Sequence, residues 1–366
     1  MSTELEIMLP KLYAGWLADA LDGPIPPEHN ATCLNCAMLP PPDGPGNGAS
    51  LYYHPQAKCC TYIPELPNFL VGSILNDDDP AQAEGRAALA AYLQADSIAT
   101  PLWLNRSPSY DLKYDSTDHF FGRITGLRCP YYLDRDGGLC SIWRYREAVC
   151  TTFFCKHTRG ALGKQFWDTL KQLLVIIERD LVYWCALELG IELEVLRQFL
   201  AAKESTQIIY LLELEQEESH LQLETQRKLW GQWAGRELDY FKACARLVEP
   251  LTWADISAIS GPELRLWARL TGQAHQNLLS DALPERLRLG SFQIVQIQAE
   301  ASLVQSYINT DLLKIPQPVW EILSYFDGRP ITEAVACAAT EKGVKINPSL
   351  IRKLVDFQIL VPVETQ

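Results

Sequence analysis

The sequence predicts a mainly α-helical protein of the α+β class, built from three parts. Eight of its eleven cysteines lie before residue 156, helical periodicity dominates from about residue 162, and strand and helix signals alternate after residue 290. A chain of 366 residues is also too long for one ordinary core. We therefore expect a loop-rich cysteine-cluster domain, a helical middle domain and a small winged-helix-like C-terminal module, at residues 1–160, 161–288 and 289–366.

The charge and hydropathy of the chain exclude several functional classes. A formal charge of −13 argues against binding to nucleic acid or to anionic membranes, since both need a basic surface. No stretch approaches the roughly 20 uninterrupted apolar residues of a membrane span. The first 21 residues lack the cationic and apolar regions of a secretory signal. We expect a cytoplasmic protein that binds neither nucleic acid nor membranes.

The first 160 residues are predicted to be rich in loops. Pro/Gly clusters at 22–30 and 39–50 exclude regular structure there, and one helix is predicted over 81–95, with Asp78 or Asp79 near its N-terminus. A segment with so little continuous periodicity needs another source of stability. A metal cluster would supply this stability, so we expect bound metal to hold the domain together.

The rest of the chain shows regular patterns. Apolar residues at helical spacing stop at Gly190, a residue type typical of helix C-termini, and further helices are predicted downstream. The predicted middle helices span 163–190, 193–203, 207–232, 235–247 and 262–279. The C-terminal part is predicted to contain a strand within 291–300, a helix, an Asp-Gly turn and a second helix within 318–344, and a helix with a short strand within 347–362.

The clustered cysteines predict a metal site. Thiols of a cytoplasmic protein are kept reduced, and an odd total of eleven fits poorly with a complete disulfide framework. Three cysteines lie within apolar periodic segments and are predicted to be core thiols: Cys185, Cys244 and Cys337. The eight predicted metal ligands are Cys33, Cys36, Cys59, Cys60, Cys129, Cys140, Cys150 and Cys155.

The spacing of these cysteines bears on the kind of metal. The Cys33-x2-Cys36 pair can reach one metal ion through a tight turn. Adjacent Cys59 and Cys60 are harder to bring onto one tetrahedral ion and suit two metals, or two corners of a polynuclear cluster such as 4Fe-4S. Eight thiolates thus suggest two four-sulfur sites, or one cluster and a structural ion. Residues 123–159 carry seven basic and three acidic side chains, and such cations would stabilise the negative charge of metal-bound thiolates.

Four sequence pieces resemble the YkgJ-type cysteine-cluster family, which is described as zinc- or iron-chelating. In this chain Trp143 stands where that family has tyrosine, Arg146 matches its arginine, and Glu147 replaces its proline. The resemblance covers residues 33–155 and implies metal chelation without a defined activity. The pieces are "CLNC" at 33–36, "CC" at 59–60, "CPYYLDRDGGLCSIW" at 129–143 and "RYREAVCTTFFC" at 144–155.

The C-terminal module resembles the PqqD-like fold of peptide-modification systems. "IPQPVWEILSYFDGRPITEAV" at 315–335 and "LIRKLVDFQILVPV" at 350–363 carry the apolar spacing around an Asp-Gly turn. The resemblance implies a peptide or protein partner, added as a strand beside a helix. The alternative is a small winged-helix or dimerisation domain without a peptide ligand.

The whole chain admits three interpretations. The first, favoured by Cys59-Cys60 and the eight thiols, is an iron–sulfur protein with a redox or peptide-modifying role. The second is a zinc protein in which Zn²⁺ is structural and the chain is an adaptor. The third is a metal carrier or sensor with exchangeable thiols. His54 and His157 are candidates to replace a thiolate, although hydrogen-bonded histidines are the commoner case. No common catalytic motif is present, so any catalysis would have to lie at the cysteines.

Overall fold

The computed structural model describes residues 9–29, 33–34, 36–40, 52–94, 98–197 and 227–363. Long helices accompany sheets of two or three short strands, which confirms the mixed α+β class. The predicted helices at 193–203 and 207–232 lie largely outside the described residues. Within that described part, none of the helices has the length and apolar character that a membrane span requires.

The chain forms two compact units, each assembled from separate segments. Unit 1 comprises Met1–Pro24, Leu39–Phe153 and Leu170–Arg269. Unit 2 comprises Ile25–Met38, Phe154–Thr169 and Leu270–Gln366. The three-part division predicted from the sequence, with boundaries after residues 160 and 288, stays a prediction.

The helices that contribute to unit 1 alternate with very short strands. An antiparallel sheet of order β1–β3–β2 joins Leu66–Pro67 (β1), Ile98–Ala99 (β2) and Trp103–Asn105 (β3). Tyr132–Leu133 (β4) and Leu139–Cys140 (β5) form a hairpin. The helices are Lys11–Ala20 (α1), Asn68–Asn76 (α2), Ala83–Gln94 (α3), Pro108–Asp115 (α4), Ala148–Thr152 (α5), Gly160–Glu188 (α6), Glu237–Val248 (α7) and Trp253–Leu279 (α8).

Helix ends lie where the sequence signals them. The carboxylate of Asp79 accepts a hydrogen bond from the Ala81 amide at 2.9 Å and caps the turn that leads into α3. Helix α6 ends at Glu188, and Gly190 adopts a left-handed φ of 75°. Helix α8 is interrupted at Gly261, whose φ of 73° and ψ of −150° suit only glycine, so the predicted helix 262–279 is its second half.

Helices α2 and α7 pack at very close range, and Gly72 of α2 makes this approach possible. A Cβ atom at position 72 would lie 1.8 Å from the carbonyl oxygen of Phe241 and 2.9 Å from the Cβ of Ala245. The obstacle is the backbone of α7, which cannot rotate away as a side chain can. Asn68, one turn earlier, donates from its side chain to the carbonyls of Pro101 (2.9 Å) and Val182 (3.2 Å).

We expect Gly72→Ala to lower the free energy of unfolding by about 1–3 kcal/mol or more, because the added methyl group forces the two helices apart. The matched control is Gly15→Ala in α1, where a Cβ would meet no heavy atom within 4 Å. That control should stabilise the helix by up to about 1 kcal/mol. Urea unfolding followed by circular dichroism measures both, and equal effects would contradict the proposed close packing.

Most of unit 2 is formed by the C-terminal 80 or so described residues. Gln293–Ile297 (β7), Ala301–Gln305 (β8) and Leu313–Pro316 (β9) form an antiparallel sheet in that order. A second sheet has the order β10–β6–β11, with Arg286–Leu289 (β6), Asp327–Pro330 (β10) and Leu360–Pro362 (β11). The helices are Gln317–Ile322 (α9), Ile331–Lys342 (α10) and Pro348–Asp356 (α11). The predicted Asp-Gly turn is thus the beginning of a strand.

One apolar core joins these elements. It contains Leu287 of β6, Val304 of β8, Ile315 of β9, Leu354 of α11 and Leu360 of β11, all of them buried. The Asn347 side chain caps α11 by accepting the Leu350 amide at 2.7 Å, as the sequence signal at 347 predicts.

A buried ion pair anchors the 154–169 segment within unit 2. The Arg159 guanidinium contacts both carboxylate oxygens of Asp356, including Nη2 to Oδ1 at 3.0 Å, and donates from Nη1 to the Leu278 carbonyl at 2.6 Å. The Asp356 side chain is only 3% exposed. Glu28 fixes the 25–38 segment in the same way, since its carboxylate accepts from Trp167 Nε1 (2.9 Å) and the Thr158 amide (2.6 Å).

Candidate metal centre

The eight predicted ligands are divided between the two units. Unit 1 contains Cys59, Cys60, Cys129, Cys140 and Cys150, and unit 2 contains Cys33, Cys36 and Cys155. Cys129 is buried and the other seven are half-buried. The five cysteines of unit 1, here called the thiol cluster, come from three chain segments: a turn at 54–62, the β4–β5 hairpin with its flank, and α5.

The turn at 54–62 supplies the adjacent pair. The His54 carbonyl accepts from the amides of Ala57 (3.0 Å) and Lys58 (2.9 Å), and Lys58 adopts a left-handed φ of 53°. Its side chain is buried, and Nζ donates to the Gly138 carbonyl of the hairpin at 2.9 Å. This conformation places Cys59 and Cys60 directly after a buried ammonium group.

The β4–β5 hairpin lies against that turn. The Cys129 amide donates to the Cys60 carbonyl at 2.7 Å, and the Tyr132 hydroxyl donates to the Pro55 carbonyl at 3.2 Å. Cys140 of β5 pairs with Tyr132 of β4. Gly138 is required in the connecting loop, because its φ is 93° and a Cβ there would overlap the Tyr132 hydroxyl at 2.2 Å. The hairpin thereby brings Cys129 and Cys140 to the adjacent pair.

Helix α5 supplies the fifth thiol. Its N-cap residue Glu147 accepts the amides of Val149 and Cys150, the latter at 2.9 Å. Arg146, one residue earlier, is buried and places its guanidinium carbon 3.4 Å from the centroid of the Trp143 ring. Arg146 also donates from Nη1 to the Cys150 carbonyl at 3.3 Å.

The five thiols act on one another electrostatically. A hydrogen bond from the Cys60 thiol, together with the charges of Arg146 and Lys58, lowers the pKa of Cys59 despite its burial. The same hydrogen bond raises the pKa of Cys60, and burial adds to it. Burial is also the main cause that raises the pKa values of Cys129, Cys140 and Cys150, and Glu147 raises that of Cys150 further. The charges of Arg146 and Lys58 thus favour an anionic thiol at the Cys59–Cys60 pair.

Two cations accompany the cluster, and only one of them belongs to the basic set predicted at 123–159. Arg146 is in that set, whereas Lys58 was missed, although it immediately precedes the Cys59-Cys60 pair. Three other members of the set are exposed and form surface ion pairs. These are Arg128 with Asp134, Arg135 with Glu84, and Arg144 with Asp79.

A pair of buried carboxyl groups borders the cluster and has no sequence signal. Glu147 and Glu178 are each 3% exposed. Glu178 accepts from the Tyr13 hydroxyl and from the Ala148 amide, the latter at 2.7 Å. Burial raises the pKa of both carboxyls, and the charge of Glu147 raises that of Glu178 further. Because Tyr13 and Glu178 are 165 positions apart, no local pattern could have indicated their contact.

The remaining cysteines and His157 lie in other surroundings, whereas His54 begins the turn that carries Cys59 and Cys60. Cys185 and Cys244 are buried in the core of unit 1, as predicted, and the Cys185 thiol lies 3.9 Å from the Cys244 carbonyl. The prediction of a core thiol is wrong for Cys337, which is half-buried near Nη1 of Arg329. In unit 2, buried His157 places Nδ1 3.4 Å from the Tyr307 hydroxyl. His54 Nδ1 accepts the Gln56 amide at 3.2 Å.

The donor chemistry of the thiol cluster fits a thiophilic metal, since it combines reduced cysteines with two buried cations. The side chains of the cluster do not have the arrangement of a metal-binding site. Across the described ranges, no three Cys, His, Asp or Glu side chains are arranged to hold a metal ion.

No family model, no curated protein and no solved structure matches this chain. The resemblances to the YkgJ-type family and to the PqqD-like fold therefore stay predictions, and the chemistry of the site rests on its own residues.

Proposed function

We propose that this chain is a cytoplasmic iron–sulfur protein that acts on a peptide or protein partner. The observation that carries the proposal is the thiol cluster, in which five cysteines from three separate segments of unit 1 converge beside Arg146 and Lys58. Cys33, Cys36 and Cys155 complete the predicted set of eight ligands and lie in unit 2.

The charge of the surroundings supports thiolate-bound metal over a simple buried thiol group. Four thiolates on a divalent ion, or on an oxidised four-iron cluster, leave a net charge of about −2. Buried Arg146 and Lys58 would offset this charge where water cannot. The adjacent Cys59-Cys60 pair favours a polynuclear cluster, because the short peptide between the two residues hinders binding to one tetrahedral ion.

The first test is metal analysis with an optical spectrum on the full chain, purified without oxygen. We expect iron, acid-labile sulfide and a broad absorption band at about 400 nm. Colourless protein with about two zinc ions per chain would replace this proposal with the structural zinc alternative. A fully folded protein without either metal would overturn both.

The zinc alternative has one observation in its favour. The described residues of unit 1 between 52 and 153 contain strands of only two or three residues, such as β1, β4 and β5. Strands this short share few backbone hydrogen bonds, and a redox-inert ion would be enough to hold the segments together. In that case the chain would be an adaptor without redox chemistry.

The partner is proposed from the C-terminal elements. In them the β7–β8–β9 sheet is followed by α9, β10, α10 and α11. Among the described strands the two outer strands, β7 and β9, each pair with β8 alone, so an edge of this sheet has backbone groups for an added strand. This open edge supports the peptide-binding role that the PqqD-like resemblance implies.

A further inference from the structure

Unit 2 contains a cavity of about 390 Å³ that the proposed function does not use. Its walls come from four separate segments: His29, residues 156–158 before α6, residues 311–314 at the beginning of β9, and Lys353 with Phe357 at the end of α11. The volume is within the range of small-molecule sites in proteins, which begins at about 300 Å³. It is much larger than a site for a single bare ion.

The cavity is positively charged in a chain whose formal charge is −13. Lys156, Lys314 and Lys353 line it, against the single carboxylate of Asp311. Each lysine belongs to a different segment of the chain, so only folding brings the three side chains to the same cavity. In the part of unit 2 that the structure describes, none of the three ammonium groups makes a hydrogen bond or an ion pair within 4.0 Å.

The carboxylate of Asp311 is already engaged. It is buried, and it accepts hydrogen bonds from the His157 amide at 3.1 Å and from the Tyr307 hydroxyl. Its oxygens therefore hold the wall of the cavity together, while the three lysines remain available to a ligand. Leu313 and Phe357 make another side of the cavity apolar, and Lys353 Nζ lies 5.7 Å from the centroid of the Phe357 ring.

We propose that this cavity binds the phosphate group of a small organic phosphate ester. A phosphate dianion matches the formal charge of +2 from three lysines and one aspartate, and its oxygens can accept from several ammonium groups at once. The apolar side gives the organic part of the ester a surface to contact. Lys156 directly follows the predicted ligand Cys155, but none of the eight predicted ligands lines the cavity, so phosphate binding can succeed or fail separately from metal binding.

Calorimetric titration of the full-length protein at low ionic strength tests the site with phenyl phosphate, inorganic phosphate and succinate. We expect one phenyl phosphate per chain, bound more tightly than inorganic phosphate because of the apolar wall, and succinate bound more weakly than both. Lys314→Gln and Lys353→Gln should each weaken phenyl phosphate binding by about tenfold, since each removes a charge-assisted hydrogen bond.

The matched control is Lys345→Gln, which removes an equally exposed positive charge outside the cavity. It should bind phenyl phosphate like the unmodified protein, and circular dichroism should show all three variants folded. The proposal is overturned if no phosphate compound binds, if Lys345→Gln weakens binding as much as the cavity variants, or if succinate binds as tightly as phenyl phosphate. The last result would make the site one for dicarboxylates.

Discussion

Cys59→Ser is expected to remove most of the metal that we propose the thiol cluster to bind. Removal of a residue that hydrogen-bonds a metal ligand lowers the affinity for the metal by about 10–100-fold. Removal of a ligand itself should therefore lower it by more than about 100-fold. A serine hydroxyl does not ionise near pH 7, and Cys59 is the position where a buried guanidinium and a buried ammonium both favour a negative charge. Cys150→Ser should act in the same direction.

The measurement is metal per chain after anaerobic purification, together with the thermal unfolding midpoint. Cys185→Ala is the matched control, because Cys185 is a buried thiol of the same unit that lies outside the thiol cluster. It should keep the full metal content. Full metal and stability in both serine variants would show that the ligand assignment is wrong, and metal loss in Cys185→Ala would place that thiol among the ligands.

Arg159→Met should destabilise unit 2 strongly, by about 3–5 kcal/mol, because it leaves the buried carboxylate of Asp356 without its partner. The variant also removes a hydrogen bond to the Leu278 carbonyl. Methionine keeps much of the length of the arginine stem, so the loss reports the charge more than the packing. Urea unfolding followed by tryptophan fluorescence measures the change.

Arg329→Met is the matched control for this ion pair. Arg329 also contacts both oxygens of an aspartate, Asp327, but that pair is exposed to solvent and screened by it. Its substitution should leave the unfolding midpoint almost unchanged. If the two variants had similar unfolding midpoints, the buried Arg159–Asp356 pair would stabilise the protein no more than the exposed pair does.

The sequence predicts those elements whose signals are local. The caps at Asp79 and Asn347 and the glycine after α6 mark helix ends without reference to the rest of the chain. Helix α2 was missed because most of its residues are buried and "NFLVGSILN" shows no helical alternation of apolar and polar residues. Strand β6 was missed for another reason. Its partners β10 and β11 lie far along the chain, so the sequence beside β6 has no hairpin-turn signal that would indicate a strand.

The eight cysteine ligands stay a prediction, and the sequence did not indicate which of these cysteines lie near one another in the fold. Cysteine spacing indicates which thiols are close along the chain, but the Cys129 amide reaches the Cys60 carbonyl through folding of the intervening residues. Lys58 and Glu178 were missed because a buried charge leaves no periodic pattern in sequence. The position of Cys33, Cys36 and Cys155 in unit 2 likewise depends on how distant segments assemble.

The assembly of unit 2 from distant segments has a consequence for synthesis on the ribosome. Asp356 follows Arg159 by 197 positions. At about 5–20 residues per second, Arg159 is therefore made roughly 10–40 s before its partner. Throughout that interval the 25–38 and 154–169 segments have no C-terminal core to join. The nascent chain therefore presents an unfinished surface to chaperones, and completion of unit 2 is a late event in the biogenesis of the protein.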